Sequence, residues 1–202
     1  MILEKNEHLA ELIGIILGDG NLGIYPKYKN GVNTGRVRCH YLRIYCNLSE
    51  KQYAQHLKNI LVKVFKRNPY IYERVNAGEL YLEISKKDLD KELGIKIGDK
   101  IKNEVFVPQW IFSQERFLTS CLKGLFDTDG CCYKTGGKYL IVNFTNKNDQ
   151  LLIGIYKGLK KLGFHPYKIK NRAVELGRRL EIEKFFSIIA PRNKKHYRFL
   201  AG

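Results

Sequence analysis

Two short segments of the sequence place an aspartate before glycine at the end of an apolar run that itself contains glycine. The first reads LIGIILGDG and ends at Gly20, and the second reads LKGLFDTDG and ends at Gly130. They align at a constant offset of 110 residues, which pairs Asp19 with Asp129. Glycine inside a helix costs about 1 kcal/mol relative to alanine, and an aspartate at a helix C-terminus faces the negative pole of the helix dipole. Two copies of so costly a pattern indicate a duplicated and functional arrangement.

The glycines predict close helix packing. Small residues spaced by four, Gly14 with Gly18 and Gly124 with Thr128, form a smooth strip along one helix face. Such strips let a second backbone approach closely. If the two copies pack through these strips, their C-terminal ends lie side by side.

That packing would place the carboxylates of Asp19 and Asp129 next to each other. Two adjacent carboxylates repel unless a proton or a cation lies between them. In a strongly basic chain the pair suggests Mg²⁺, with phosphate oxygens completing its coordination. Such a site would activate water and stabilise a leaving oxygen in phosphodiester cleavage.

The charge balance agrees with a polyanionic partner. Lysine and arginine outnumber the acidic residues 36 to 20, a formal net charge of +16 over 202 residues. So large an excess points to nucleic acid, although a ribosomal or membrane-surface protein fits the charge alone. No apolar run reaches transmembrane length and the N-terminus does not resemble a signal peptide. We therefore expect a soluble, intracellular (cytoplasmic) protein that does not bind membranes.

The pattern of the remaining residues predicts an α+β protein. After each motif, alternating segments, a hairpin and amphipathic runs predict the order α-β-β-α-β-β-α. We expect a first half over residues 1–93, a linker over 94–112 and a second half over 113–202. The five cysteines have no zinc-type spacing, so we expect reduced thiols and no structural metal.

The two motifs resemble those of the LAGLIDADG homing endonucleases in their single-chain, two-motif form. LKGLFDTDG is close to the family motif, whereas LIGIILGDG has Leu17 in place of the first aspartate. The resemblance covers nearly the whole chain. It implies two pseudosymmetric αββαββα halves packed through the LAGLIDADG helices, with antiparallel sheets forming a DNA-binding saddle. It also implies a monomer without an obligatory protein partner. The implied activity is cleavage of both strands of a long, nearly asymmetric double-stranded DNA site with short 3′ overhangs, using Mg²⁺ or another divalent cation.

The resemblance also implies the metal ligands. Asp19 is the only acidic candidate in the first motif, and by analogy Asp129, rather than Asp127, is its counterpart. The family uses the backbone carbonyl before each aspartate, which corresponds to Gly18 and Thr128. Because Leu17 occupies the place of Asp127 in the other half, we expect Asp127→Asn to have a far milder effect than Asp129→Asn.

Further catalytic groups in this family lie near the ends of the second strand of each half. By that analogy Asn47 could position water, and Lys147 could polarise the phosphate or order water. Lys134 is a rival for the lysine role. An ordinary turn or capping function explains Asn47 and Lys147 equally well.

The DNA-reading surface is expected on the strands. Alternation in RVRCH would place Arg36, Arg38 and His40 on one strand face, where they could follow the major groove. The remaining candidates are basic or aromatic and lie in a predicted loop or on predicted strands of either half: Tyr25, Lys27, Lys29, Lys134, Lys168, Lys170 and Arg172. A solvated strand face is the alternative for any one of them.

Two other functions fit the same fold. One is an RNA-splicing maturase, and the other is a DNA-binding regulator without catalysis. Retention of both Asp19 and Asp129 argues against the regulator, because a pure binder gains nothing from facing carboxylates near phosphate. The chain starts at Met1 and ends in Ala-Gly without splicing nucleophiles, so we expect a free-standing or intron-encoded enzyme rather than an intein.

Overall fold

A computed structural model describes residues 3–136, 139–167 and 169–198 of the chain. The first half contains three helices and four strands: α1 (Glu7–Leu17), β1 (Asn21–Lys29), β2 (Val32–Asn47), α2 (Lys51–Phe65), β3 (Tyr70–Arg74), β4 (Glu79–Lys86) and α3 (Leu89–Leu93). This is the predicted α-β-β-α-β-β-α order. Its four strands form one antiparallel sheet in the order β1-β2-β4-β3.

The second half has a smaller sheet. Its elements are α4 (Glu115–Asp129), β5 (Gly130–Thr135), β6 (Tyr139–Thr145), α5 (Asp149–Lys161), β7 (Ala173–Leu176) and α6 (Arg179–Ile189). The three strands pair antiparallel in the order β5-β6-β7. This half follows the predicted αββαββα order except that the described residues form one strand, not two, between α5 and α6. In the described part of the segment before β7, Tyr167 donates through its backbone amide to the Glu175 carbonyl, and Lys170 forms an isolated bridge with Ala173.

Local sequence explains where the first motif helix begins. The Asn6 side chain accepts a hydrogen bond from the Leu9 amide (3.0 Å) and caps α1. Helix α1 ends at Leu17, so Gly18 and Asp19 lie in the turn that follows, whereas α4 continues through Asp129. The two equivalent aspartates therefore lie in different local structures: Asp19 is in a turn, and Asp129 is the last residue of a helix.

The hairpin between β1 and β2 projects away from the core. Asn30 and Gly31 form its turn with φ values of 51° and 78°. Positive φ at both central residues is typical of a type I′ turn, for which Asn-Gly is the strongest short signal. All residues from Lys27 to Arg38 are exposed. The predicted loop at Tyr25–Lys29 is therefore wrong, because these residues continue a strand.

The core lies between the motif helices and one face of each sheet. In β2, Leu42, Ile44 and Cys46 are buried, while Tyr41, Arg43 and Tyr45 alternate with them and lie on the other face. The equivalent buried positions of the second sheet include Val142 and Phe144 in β6 and Val174 and Leu176 in β7. Each sheet thus covers the helices with one face and leaves the other uncovered. Within the described residues, no helix is both long and apolar enough to span a bilayer.

Candidate active site

The two motif helices pack through their glycines, as the spacing predicts. A Cβ atom on Gly14 would overlap the carbonyl oxygen of Cys121, and one on Gly124 would lie 2.9 Å from the Ile15 amide nitrogen. Real Cβ atoms do not approach backbone atoms this closely, so any larger residue would separate the helices. The small-residue strip is confirmed on both helices.

At the ends of these helices the predicted metal ligands come together. A Cβ on Gly18 would overlap the Thr128 side chain and would lie 3.2 Å from Oδ1 of Asp129. Asp19 is exposed in the turn after α1, whereas Asp129 is half-buried. The structure therefore brings Gly18, Asp19, Thr128 and Asp129 to one place at the junction of the halves.

The carboxylates of Asp19 and Asp129 influence each other electrostatically. Burial raises the pKa of Asp129 to about 6, and the negative charge of Asp19 contributes in the same direction. The hydrogen bond from Asn146 and the charges of Lys100 and Lys195 partly offset this rise. A carboxylate whose ionisation is disfavoured by burial and by a second carboxylate is one that a bound cation would stabilise.

Asn146 contacts the second aspartate directly. Its Nδ2 donates a hydrogen bond to Oδ2 of Asp129 (2.6 Å), and its Oδ1 accepts one from the Asn148 amide (2.8 Å). Asn47 occupies the matching position in the first half and accepts from the Ser49 amide (2.9 Å) in the same kind of turn. Lys147, rather than Asn146, is the residue predicted for the site in this turn. The shared spacing, Asn-x-Ser and Asn-x-Asn, was the signal that could have identified Asn146.

Two lysines contact the two motif carbonyls, and neither is among the predicted site residues. The Lys100 ammonium donates to the carbonyl oxygen of Gly18, and the Lys195 ammonium donates to that of Thr128 (3.3 Å). Burial lowers the pKa of Lys100, against the charges of Asp129 and Asp19. Both lysines lie in segments without helix or strand periodicity, so hydrophobic pattern carries no signal for them.

An open cavity of about 830 Å³ lies beside Asp129. Among the polar residues that line it are Lys100, Asn146, Lys147 and Arg172. The predicted Lys147 is therefore exposed at the cavity wall, whereas Lys134 lies on β5 and is absent from the lining. Of these two lysines, Lys147 is the one that lines the same cavity as Asp129.

The first sheet gathers four of the predicted DNA-binding side chains on the projecting hairpin. Lys27, Lys29, Arg36 and Arg38 all lie on its exposed part. We call Lys27–Arg38 the basic arm. The simple alternation predicted for RVRCH fails, because a register shift occurs where Tyr25 pairs with Cys39 and Pro26 with Val37.

Tyr25 belongs to a polar cluster on the uncovered face of this sheet. Its hydroxyl donates to Glu83 (2.9 Å) and accepts from the Arg43 guanidinium (2.5 Å). Arg43 also donates through Nε to Glu83 (2.7 Å) and lies over the Tyr41 ring, 4.3 Å from its centroid. We call Tyr25, Tyr41, Arg43 and Glu83 the Arg43 cluster. Arg43 was not predicted, although the alternation of Tyr41, Arg43 and Tyr45 with buried residues marks this face.

His40 does not join the other predicted residues. It lies on the helix-covered side of β2, and its Nδ1 is 2.8 Å from Oδ1 of Asp90 in α3. Its place on the DNA-reading face is therefore wrong, because the register shift separates it from Arg36 and Arg38.

The predicted strand Lys168–Arg172 is also corrected. Asn171 and Arg172 have φ values of 51° and 58° and form a turn, so Arg172 lies at the Asp129 cavity rather than on a strand. Lys170 is exposed and forms a single bridge with Ala173. Lys168 lies outside the described residues.

The donor set at the junction fits a hard divalent cation. Asp19 and Asp129 supply carboxylate oxygens, and Gly18 and Thr128 supply backbone carbonyl oxygens, which are the donors preferred by Mg²⁺ and Ca²⁺. Elsewhere in the part of the chain that the structure describes, no group of three or more His, Cys, Asp or Glu side chains is arranged to hold a metal.

Comparison with known proteins supports the relationship at two levels. Residues 116–189 match the family model of the LAGLIDADG-like domain, which includes the second motif. The chain is also 28% identical over 177 residues to a DNA polymerase of Methanocaldococcus jannaschii. That alignment covers 84% of this chain but only 10% of the polymerase, so the whole protein's activity is not transferred to this chain.

The solved structures share the fold along nearly the whole chain. The homing endonuclease I-DmoI in complex with DNA and Ca has a TM-score of 0.62 and 21% identity, covering 97% of this chain and 98% of that one. Its complex with DNA and Mn has a TM-score of 0.59 and 23% identity, covering 91% and 96%. The LAGLIDADG meganuclease I-AabMI, bound to uncleaved DNA, has a TM-score of 0.56 and 14% identity, covering 93% and 86%. This chain therefore carries a LAGLIDADG-like domain in its second half and has, over nearly its full length, the fold of the single-chain, two-motif LAGLIDADG homing endonucleases.

Proposed function

We propose that this chain is a site-specific DNA endonuclease that cleaves both strands in the presence of a divalent cation. The observation that carries the proposal is the junction of Asp19 and Asp129 at the ends of two helices packed glycine to glycine. The similar folds that were solved with DNA and with Ca or Mn support a DNA substrate and a divalent metal.

In this proposal Asp19, Asp129 and the carbonyls of Gly18 and Thr128 hold the cation, with Mg²⁺ as the physiological ion. When bound, the cation would act as a Lewis acid on the scissile phosphates. Asn146 holds the Asp129 carboxylate in one orientation through its 2.6 Å hydrogen bond.

The lysines would stabilise negative charge on the phosphates. Lys100 and Lys195 carry positive charge to the two motif carbonyls, where they could neutralise charge that develops on a phosphate. Asn47, exposed at the end of β2, and Lys147, exposed at the cavity wall, are proposed to position water or contact the phosphate.

The target is proposed to be long and asymmetric, and one chain is proposed to be sufficient for it. Both aspartates belong to the same chain, so a second copy is not required to complete the pair. The two sheets differ in strand number and length, so they would contact two unlike half-sites. Short 3′ overhangs are the product that the family resemblance implies.

The test begins with a site selected by the wild-type protein from a plasmid library with a randomised insert. We expect Mg²⁺ to support cleavage of both strands, and Asp19→Asn or Asp129→Asn to reduce it by at least about 10²-fold, as for loss of one key electrostatic group. Affinity for the same site, measured in Ca²⁺, should change only a few-fold. Normal cleavage by Asp19→Asn would show that the metal-site assignment is wrong.

The same experiment separates the alternatives. Tight binding to structured intron RNA, without cleavage of any selected DNA in Mg²⁺, would favour the maturase. Tight DNA binding without cleavage under any divalent cation would favour the regulator. The mass of the complex in Ca²⁺ tests stoichiometry, and two chains on one site would contradict the single-chain proposal.

A further inference from the structure

Asp127 is a buried carboxylate that does not belong to the metal site. Its side chain is 1% exposed, and its oxygens accept hydrogen bonds from the backbone amides of Arg192 (2.9 and 3.0 Å) and Asn193 (2.9 Å). An ionisable group is rarely buried to this degree without a specific partner. Here the partner is the backbone of the C-terminal segment, 65 and 66 residues further along the chain.

The segment held by Asp127 is also attached to the first half. The Asn193 side chain is 3% exposed and donates through Nδ2 to Oε1 of Glu50 (2.7 Å). The other oxygen of Glu50 accepts from the backbone amide of Asn47 (2.9 Å). A continuous chain of hydrogen bonds therefore runs from Asp127 in the second motif to the end of β2 in the first half.

Packing fixes the same segment from its other end. His196 is 1% exposed and lies against the Phe126 ring, with the ring centroids 4.3 Å apart. Burial and the charge of Lys195 lower the pKa of His196 to about 3, so it is neutral at physiological pH. The charge of the Asp127 carboxylate is therefore stabilised by the backbone amides rather than by an imidazolium.

Between these two anchors lies Lys195. The Asn193 Oδ1 accepts from its backbone amide (3.2 Å), which begins a short 3-10 turn over Lys194–Tyr197. The Lys195 ammonium then reaches the carbonyl oxygen of Thr128 (3.3 Å). Asn193, which positions the backbone of Lys195, is thus itself held by Asp127 of the second motif.

Lys100, the counterpart in the first half, is held differently. Asp99 accepts hydrogen bonds from the amides of Ile101 (2.8 Å) and Lys102 (3.1 Å), and Asn103 donates to the Ile97 carbonyl (2.9 Å). Position 17, which corresponds to Asp127, is a buried leucine. The support of Lys100 therefore does not depend on Asp127.

We propose that Asp127 is a positioning residue that fixes the C-terminal segment 191–198 and thereby sets Lys195 at the Thr128 carbonyl for the cleavage of one DNA strand. The proposal rests on the endonuclease function proposed above. It replaces the expectation that Asp127→Asn is mild: an asparagine at this buried site would present an amide group to the backbone amides and lose part of their hydrogen bonding. Lys195 would then be displaced while Lys100 stays in place.

The experiment compares Asp127→Asn with Lys195→Met, using Glu183→Gln as a control on an exposed carboxylate of α6. Supercoiled plasmid carrying the selected site is incubated with Mg²⁺, and each strand is labelled separately. We expect Asp127→Asn and Lys195→Met to slow cleavage of the same strand by at least about 10-fold, so that nicked plasmid accumulates. The other strand should be cut within about 3-fold of the wild-type rate, and the control should leave the strand ratio unchanged.

A second measurement needs no DNA. Limited trypsin digestion of the free protein should cut after Arg192, Lys194 or Lys195 faster in Asp127→Asn than in the wild type, with the overall melting temperature used to correct for global stability. If wild-type protein cuts no DNA, the function proposal fails while the digestion result still tests the anchor. Equal slowing of both strands, or unchanged digestion of the segment, would overturn the positioning role of Asp127.

Discussion

The two halves of the molecule are alike at their helices and different at their sheets. The motif helices contact each other reciprocally, with Gly14 against Cys121 and Gly124 against Glu11 and Ile15. Around them, β1 and β2 have 9 and 16 residues, whereas β5 and β6 have 6 and 7. The helix contacts are reciprocal because each helix brings a glycine to the backbone of the other. No such contact constrains the two sheets, which differ in strand number and length.

The uncovered sheet faces are also alike in their framework and different in one central residue. In the first half Arg43 pairs in register with Glu83, and in the second Asn143 pairs in register with Glu175. A tyrosine of the neighbouring strand bonds the glutamate in both halves: Tyr25 donates to Glu83, and Tyr133 donates to Glu175 (2.8 Å). The tyrosine and glutamate are kept while the central residue changes. Under the proposed function, each sheet would therefore present a different central side chain to the DNA.

The largest effect is expected where the halves are most alike. Gly14→Ala and Gly124→Ala should each destabilise the protein by about 1–3 kcal/mol or more, since the added methyl meets backbone rather than a movable side chain. Chemical denaturation measures the loss. Gly158→Ala is the control: it lies in α5, and its Cβ would meet side-chain atoms of Leu118 (Cδ1 at 3.0 Å) and Leu122 (Cδ1 at 3.6 Å) rather than backbone, while alanine favours the helix. An unchanged stability for Gly14→Ala would show that the strip does not set the helix distance.

The next effect concerns the basic arm, which the second half lacks among its described residues. Changing Lys27, Lys29, Arg36 and Arg38 to glutamine should lower DNA affinity by about 10²-fold at low salt and reduce the slope of log affinity against log salt by up to about 4, roughly one for each lost phosphate contact. Fluorescence anisotropy at several salt concentrations measures both. Lys134→Gln in the second half should change the slope by about 1 or less. Equal slopes for the wild type and the four-fold variant would exclude the arm from the interface.

A smaller effect is expected for the central residues of the two sheet frames. Arginine favours guanine and asparagine favours adenine in the major groove, with about 1–3 kcal/mol of discrimination for each good pair. Arg43→Asn should therefore relax the preference at one base pair of the first half-site by about 10-fold or more. Cleavage of a library of single-base variants of the site measures this. A uniform loss across all variants would indicate that Arg43 supports the sheet rather than reading a base.

The smallest effect is a pH dependence of stability at the helix junction. Glu11 is buried and ion-paired with His56 (2.6 Å) and Lys123 (2.8 Å), so these contacts outweigh the cost of burial and lower its pKa. A carboxylate with a lowered pKa stabilises the fold above its unfolded pKa, near 4.5, and this contribution is lost as the pH falls through the folded value. The difference in melting temperature between wild type and Glu11→Gln should therefore shrink below about pH 4.5. A difference that is constant down to pH 3 would contradict the ion-pair role.

Local sequence was sufficient for the motif helices and for most of the first half. The matched offset and the small-residue spacing determine that two helices can approach and that Asp19 and Asp129 end together, because this geometry depends only on residue size and helical period. The Asn30-Gly31 turn was also readable, since it needs positive φ at two successive residues. It was interpreted as a loop because the surrounding basic and aromatic residues do not alternate cleanly across the register shift.

The tertiary structure decided which polar groups surround the aspartates. Lys100 and Lys195 come from segments without periodicity, Asn146 was one of several polar residues after a strand, and Asp127 was indistinguishable in sequence from a spare motif residue. Their roles follow from contacts between residues far apart in the chain, such as Asp127 with Arg192 and Asn193. Hydrophobic period and residue size determine which backbones pack. The pairing of a buried charge with its hydrogen-bond donors depends on which distant segment the packed backbones bring close to it. The sequence pattern does not show which distant segments become neighbours in the fold.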